Sequence, residues 1–452
     1  MKVIKTNLLV VGSGPAGQKA AIQAAKLGKT VVVIEGNEEV GGVSQNSGTI
    51  PSKTLREAVL DLHGRKDVSF SELNVRLHQV LEVQTKHLRK QFERNRIQVV
   101  KGTAVFENAH QMAVTDEGEF VCSVQAEKII LATGSIPRNP HHIPFDDTTV
   151  LDSTRLLKIS KVPKSMVVLG GGVIGSEYAS FFAALGTEVT VVDKRERLLP
   201  LLDREIGVHF QDALLKIGLR FIGEKEVSMV EKLHDKVEVK FSDGSTLHAE
   251  VLLYALGRVA NVEKLSLDKV GLELDEKGYI PVNALFQTSL PHIYAVGDVI
   301  GGPCLASTSM EQGRLAARHA FQAGTHHFPS FYPLGIYTIP EISSIGYTEE
   351  MLQNLGFRYE VGRAYYYEIA RNQIAGNAPG MFKILFHTDT LEILGVHIIG
   401  RGATEVIHIG QVAMSFNAKI DYFIDQVFNY PTYAEGYRIA ALNGFNKVKH
   451  KR

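Results

Sequence analysis

The stretch Asn7-Leu-Leu-Val-Val-Gly-Ser-Gly-Pro-Ala-Gly17 decides the fold. Asn7 to Val11 is a short, mostly apolar run that suits a buried strand. Gly12, Gly14 and Gly17 follow at once, with Pro15 and Ala16 among them. A helical pattern from Ala16 to Leu27 carries small residues at most positions and ends at Gly28. A second strand, Thr30 to Ile34, closes on Glu35. These are the parts of a dinucleotide-binding unit. Gly12 permits the tight turn, Gly14 lets the backbone approach a pyrophosphate, and Gly17 lets helix and strand pack closely. The helix N-terminus offers unpaired N–H groups to phosphates, and Glu35 accepts from ribose hydroxyls.

The pattern recurs. Met166 to Leu169 leads into Gly170-Gly-Gly-Val-Ile-Gly175, with Gly172, Val173 and Ile174 inside the turn and helix start. A helix from Val173 to Leu185 ends at Gly186, and a strand from Glu188 to Val192 ends at Asp193. Glu35 stands as far from Gly12 as Asp193 stands from Gly170. One glycine fingerprint is a weak signal, whereas two with strand, helix, strand and terminal acid in one spacing are a strong one. Two such sites on one chain imply a redox cofactor that stays and a second that comes and goes. Lys128 to Gly134, including Thr133, and Val251 to Gly257 read as strands that return the chain over each nucleotide. His292 to Asp298 reads as a further strand ending in an acid.

The fold class is therefore α/β, with two Rossmann-like dinucleotide-binding units. Residues 1–145 with 271–332 form the first, and 146–270 the second. Residues 333–452 form an α+β unit with no fingerprint. There Phe382 to Phe386 and Ile393 to Ile398 alternate like antiparallel strands, and helical patterns run from Ala403 to Phe416 and Glu435 to Asn446. Between the fingerprints Ser71 to Asn95 is a charged helix, on which His78 and His87 read as solvated residues. Lys plus Arg and Asp plus Glu both number 49 in 452 residues, so no global basic field exists for nucleic acid or an anionic membrane. The basic tail Lys447 to Arg452 reads as a solvated terminus. Two isolated cysteines, Cys122 and Cys304, suit neither a disulfide scaffold nor a metal site. The N-terminus enters a core strand with no signal-peptide layout, and the apolar window Met166 to Leu185 holds four glycines and Glu177. A cytoplasmic protein is expected.

Two further stretches, Gly48-Thr-Ile-Pro-Ser-Lys-Thr-Leu-Arg-Glu-Ala58 and Phe428-Asn-Tyr-Pro-Thr-Tyr-Ala-Glu-Gly-Tyr-Arg-Ile-Ala-Ala-Leu-Asn-Gly444, are long and peculiar. With the fingerprints, they make nearly the whole chain resemble the two-dinucleotide flavoprotein disulfide reductases, and within them the transhydrogenase branch. The resemblance implies FAD on the first fingerprint, through Gly12, Gly14, Pro15, Ala16, Gly17 and Glu35. The loop that follows, Gly36, Gly41, Gly42, Val43 and Ser44, belongs to the same site. So do Thr49, Ala104, Thr133, Gly134 and Ala306, with Asp298 on the ribityl chain. The second fingerprint takes NAD(H) or NADP(H), through Gly170, Gly172, Val173, Ile174, Gly175, Asp193, Lys194, Arg195 and Gly257. The resemblance also implies a homodimer, in which Tyr430 to Glu435 extends toward the partner's flavin.

The departures carry the chemistry. The family's two redox cysteines fall at Ser44 and Thr49, and its C-terminal histidine falls at Tyr430. Neither Ser44 nor Thr49 forms a disulfide or a thiolate, so disulfide reduction by the usual route is excluded. Members of the transhydrogenase branch usually keep the first cysteine, so Ser44 departs even from them. The flavin–nicotinamide half remains. Lys53, in the first turn of a helix opening at Pro51, is expected to pair with Glu177 beside the flavin, as the two catalytic residues. The other reading is a surface lysine and a structural glutamate. Asp193 favours NAD, while Lys194, Arg195 and Arg197 offer charge to a 2′-phosphate or simply form an exposed turn. The leading function is hydride transfer from NADPH to NAD⁺, ping-pong through one nicotinamide site. A nicotinamide-dependent quinone reductase and a non-turnover flavin-binding sensor stand as alternatives.

Overall fold

In the computed structural model, which describes residues 2–62, 70–324 and 327–449, the first apolar run is a central strand. Val3–Val11 lies parallel to Val31–Glu35 on one side and to Glu119–Leu131 on the other. Leu8, Leu9 and Val10 are fully buried, as a strand covered on both faces requires. Gln98–Lys101 extends this sheet beyond Val31–Glu35. The long strand Glu119–Leu131 forks. Gln111–Asp116 pairs antiparallel along its N-terminal part, and Ile293–Ala295 pairs parallel at its C-terminal end. That last strand carries Asp298 back to the first unit, in the short turn Gly297–Ile300.

The second sheet is wholly parallel, in the order Arg220–Ile222, Glu188–Val192, Ser165–Leu169, Val251–Tyr254, Val150–Leu151. It repeats the first down to single contacts. Gly12 adopts φ +101° and Gly170 +112°, a region closed to ordinary side chains. The Gly12 N–H donates to the Ile34 carbonyl and the Gly170 N–H to that of Val192, each at 2.8 Å. A Cβ on Gly17 would meet the Gly12 carbonyl oxygen at 1.9 Å, and one on Gly175 would meet that of Gly170 at 1.9 Å. Only glycine lets the helices Pro15–Lys26 and Val173–Ala184 sit this close to their strands. A two-stranded ribbon, Ser135–Pro137 against Arg258–Ala260, carries the chain between the units.

The C-terminal unit is a five-stranded antiparallel sheet, in the order Leu334–Ile336, Ile342–Gly346, Ile393–Ile399, Met381–His387, Tyr359–Tyr365. Helices Ala403–Ser415 and Glu435–Lys449 accompany it. It is locked to the second unit by a buried charge cluster. The Lys383 ammonium is 1% exposed and donates to Asp203 at 2.8 Å and Glu349 at 2.5 Å, with Glu205 at 2.9 Å. Arg363 forks onto the two oxygens of Glu205 at 2.7 and 2.9 Å. Asp203 also caps helix Arg204–Lys216.

Three sequence readings are refined. The helix holding Lys53 starts at Thr49, not Pro51, so Lys53 lies in its second turn. Proline is tolerated at the third position because the first N–H groups of a helix have no partner within it. Lys128 to Leu131 is the end of a much longer strand. Lys447 is not simply solvated, since it donates to the Val361 carbonyl at 2.7 Å, while His450 to Arg452 lie outside the described residues. His78 and His87 are exposed on helix Phe70–Arg94. The apolar window at 166–185 divides into a strand and a helix, and among the described residues no helix is long and apolar enough to cross a membrane.

Candidate active site

Val11, Ile34 and Ala132, at the C-terminal ends of three parallel strands, line a cavity of about 720 Å³. Most residues assigned to FAD converge here. Gly12, Gly14, Pro15 and Ala16 form one wall, and Glu35, Gly36, Gly42, Val43, Ser44 and Thr49 continue it. Ala104, Thr133, Gly134, Asp298 and Ala306 close the other side. Gly17 and Gly41 do not line the cavity. Gly17 serves helix–strand packing, and the Gly41 N–H donates to the Ser13 hydroxyl at 2.8 Å.

Glu35 is held before any ligand arrives. One of its oxygens accepts from the Ser13 N–H at 3.0 Å and the Ser13 hydroxyl at 2.5 Å. The other accepts from the Asn37 N–H and side-chain amide at 2.9 and 2.8 Å. Helix Pro15–Lys26 has Gly14 at its N-cap and no side-chain cap, so its first N–H groups face the cavity for an anion. The Thr133 hydroxyl is buried with no partner, although it lines the cavity. A buried polar group left alone is costly, and this one has a place for a polar ligand beside it. These features fit FAD.

At Asp298 the sequence missed two neighbours. The Ser135 hydroxyl donates to Asp298 at 2.6 Å, and Arg258 donates to the Ser135 hydroxyl at 2.8 Å and to its carbonyl at 2.6 Å. Burial lowers the proton affinity of Arg258, against the opposing charges of Asp298 and Asp152. Cys304 also lines the cavity, and burial with the Asp298 charge pushes its thiol up to about 11. It is a neutral thiol at pH 7 and no substitute for the missing redox cysteines.

Lys53 and Glu177, 124 residues apart, meet at the cavity wall. The Lys53 ammonium donates to both carboxylate oxygens of Glu177, at 2.8 and 2.7 Å. The Glu177 carboxylate is 4% exposed and the Lys53 side chain 25%. A third element joins them. The Tyr337 N–H donates to Glu177 at 2.9 Å, and its ring lies 4.9 Å from the Lys53 nitrogen in a cation–π contact. The geometry shows the two side chains paired at the cavity wall, with the lysine only part-exposed. Tyr337 had no signal in the sequence, because its role depends on a contact across two units.

The second fingerprint continues outward. Val173 and Ile174 line the cavity beside Glu177, while Gly170, Gly172, Gly175, Asp193, Lys194, Arg195 and Gly257 lie outside it. Helix Val173–Ala184 again has a glycine N-cap, Gly172, with no side-chain cap. A Cβ added to Gly172 would meet nothing within 4 Å, so the approach to this turn is open. Asp193 accepts from the Gly171 N–H at 2.6 Å, as Glu35 does from Ser13. Arg195 forks onto Asp193 at 2.8 and 2.5 Å, with its own N–H at 2.9 Å. Burial opposes ionisation of Asp193, but these donors outweigh it and hold the carboxyl below the usual range. Arg197 turns away, toward the Pro200 carbonyl and Glu350. Tyr430 is 72% exposed, on the C-terminal unit, with Val427 and Phe416 also exposed.

Residues 6–313 match the family model described as pyridine nucleotide-disulphide oxidoreductase, and residues 332–441 match the dimerisation domain of the same family. A protein from Mycobacterium bovis named soluble pyridine nucleotide transhydrogenase is 45% identical, over 98% of each chain. One of the same name from Sodalis glossinidius is 42% identical over the same shares. The solved structure of the HOCl-induced flavoprotein disulfide reductase RclA from Escherichia coli superimposes with a TM-score of 0.89, at 28% identity, covering 96% of this chain and 99% of that one.

Proposed function

Because the chain belongs to the pyridine nucleotide-disulphide oxidoreductase family, we propose that it is an FAD-dependent transhydrogenase, moving hydride from NADPH to NAD⁺. One observation carries this reading. The Lys53–Glu177 pair stands at the cavity wall beside Val173 and Ile174, while by the family resemblance Ser44 and Thr49 fall where redox thiols would stand. The groups for nicotinamide–flavin exchange are assembled, and those for disulfide exchange are missing.

FAD, when bound, supplies reversible two-electron exchange with a nicotinamide ring. The chain's part is to bind, orient and polarise. The uncapped helix Pro15–Lys26 and Glu35 hold the pyrophosphate and a ribose, and Ser135 orients Asp298 toward the ribityl chain. Glu177 fixes the Lys53 ammonium, which places a positive charge where negative charge builds during transfer. Val173 and Ile174 carry the nicotinamide fingerprint to the same wall. The second fingerprint is the one site for both nicotinamide nucleotides, so they use it in turn.

Residues 1–145 with 271–332 are assigned to FAD, 146–270 to the nicotinamide nucleotide and 333–452 to assembly. The relatives are named soluble, and a cytoplasmic location follows that reading. The exposed Phe416, Val427 and Tyr430 support a homodimer through the C-terminal unit.

The test separates the half-reactions. Under anaerobic conditions one equivalent of NADPH bleaches the flavin absorbance, NADP⁺ is removed, and NAD⁺ then restores the colour. Initial rates give parallel double-reciprocal lines. Thiol alkylation leaves turnover unchanged, and lipoamide and glutathione disulfide do not react. A flavin that stays bleached under NAD⁺ yet recovers quickly with a quinone overturns the proposal in favour of a quinone reductase.

A further inference from the structure

A transhydrogenase with one nicotinamide site faces a conflict at a single oxygen. NAD(H) carries a 2′-hydroxyl and NADP(H) a 2′-phosphate, and an acid that welcomes the first repels the second. Asp193 is that acid, and its carboxylate is 2% exposed and anchored by the Gly171 N–H at 2.6 Å. It is fixed to the fingerprint turn. Its partner Arg195 is 43% exposed and forks onto the carboxylate from the solvent side. Of the pair, the acid is buried and the arginine reaches it from the solvent side.

We propose that Arg195 is an exchangeable counter-ion on Asp193, and that its two positions let one site accept both nucleotides. This rests on the transhydrogenase reading and extends it to coenzyme choice. With Arg195 seated, the acid's charge is neutralised and both of its oxygens are engaged. The guanidinium spends Nε and one terminal nitrogen on Asp193, so the edge at its other terminal nitrogen remains for a 2′-phosphate. Lys194, exposed beside it, adds a second positive charge. When the ribose carries two hydroxyls, they replace the guanidinium on the carboxylate, and Arg195 moves into solvent. The exchange conserves hydrogen bonds at Asp193 in both states, so neither nucleotide strands a buried carboxylate. Arg197 takes no part, since it turns to the Pro200 carbonyl.

A plain phosphate-binding arginine and an exchangeable one differ in a single response. Removing the first leaves NAD-type ligands untouched. Removing the second helps them, because they no longer compete with a side chain for the acid. The measurement is calorimetric titration of the FAD-loaded protein with ADP and with 2′,5′-ADP, which carry the adenosine ribose but no nicotinamide. No hydride moves, so failure of the transhydrogenase reading in the turnover test leaves this result independent. Arg195→Ala is expected to weaken 2′,5′-ADP by about 10- to 100-fold and to tighten ADP. Asp193→Asn is expected to weaken ADP while sparing or tightening 2′,5′-ADP. Arg195→Lys keeps the charge and is expected to recover most of the 2′,5′-ADP affinity. Unchanged ADP affinity in Arg195→Ala overturns the proposal, as does parallel weakening of both ligands in either variant, which marks a merely structural pair. Unaltered FAD content and melting temperature confirm that the variants are folded.

Discussion

Replacing Lys53 with methionine slows bleaching of the flavin by NADPH by about 100- to 1000-fold, with FAD content unchanged. The magnitude is that of losing one preorganised charge aimed at the reacting group. Lys53 carries a positive charge at the cavity wall beside the second fingerprint, and Glu177 holds it there with bonds at 2.8 and 2.7 Å. FAD is retained because Gly14, Glu35 and the uncapped helix contribute other parts of the cavity. Glu177→Gln separates the charge from its restraint. It leaves the ammonium in place but loosens it, so the rate falls less than in the methionine variant. Stopped-flow absorbance under nitrogen gives both numbers. Equal rates in Lys53→Met and the parent chain would remove Lys53 from the reaction and return the pair to a structural role.

Lys383→Met destabilises the protein by about 3–5 kcal/mol near neutral pH, the cost typical of breaking a buried ion network. The substitution keeps much of the side-chain volume but leaves Asp203, Glu205 and Glu349 without their shared cation. Burial alone raises the carboxyls of Asp203 and Glu205, yet nearby positive charge, including Lys383, holds both below the usual range. In the parent chain their stabilisation is therefore full above the ordinary carboxyl values and drains as pH falls from about 5 through the lowered folded values. In the variant the sign reverses at Asp203, because a buried carboxylate that has lost its cation gains by taking up a proton, whereas Glu205 keeps Arg363. The gap between the two proteins is largest near neutral pH and narrows toward about pH 4–5, where carboxyls begin to protonate. Denaturation midpoints measured across that range check it. A deficit independent of pH would point to lost packing rather than lost charge.

The residues that sequence alone disclosed are those whose reason is local. Gly12, Gly17, Gly170 and Gly175 answer to a tight turn and a helix start that neighbouring residues build, so their spacing reports their role. Glu35 and Asp193 stand at strand ends fixed by that same spacing. Lys53 and Glu177 came from resemblance, since no local pattern joins residues 124 apart. Tyr337, Ser135 and Arg258 gave no signal, for each acts through a partner far along the chain. Lys383 did leave a trace. It is the one charged residue in the strand Met381–His387, otherwise apolar up to His387, and a buried lysine there must have acids to meet. The helix start at Thr49 is not legible from Pro51, because proline fits any of the first positions, not one alone.

The carboxylate of Glu177 has one further consequence. Its two oxygens are gripped by Lys53 from the first unit and by the Tyr337 backbone from the third, while the residue itself belongs to the second. A single functional group thus ties together segments of all three units, above one shared core to which Leu55, Tyr178 and Ile336 all belong. No isolated piece of the chain holds a complete reactive centre, and swinging any one unit away dismantles it as thoroughly as melting the whole molecule. Activity in this sense reports on that docking: a chain opened at the shared core loses the contact of Lys53, Glu177 and Tyr337 even where its parallel sheets persist.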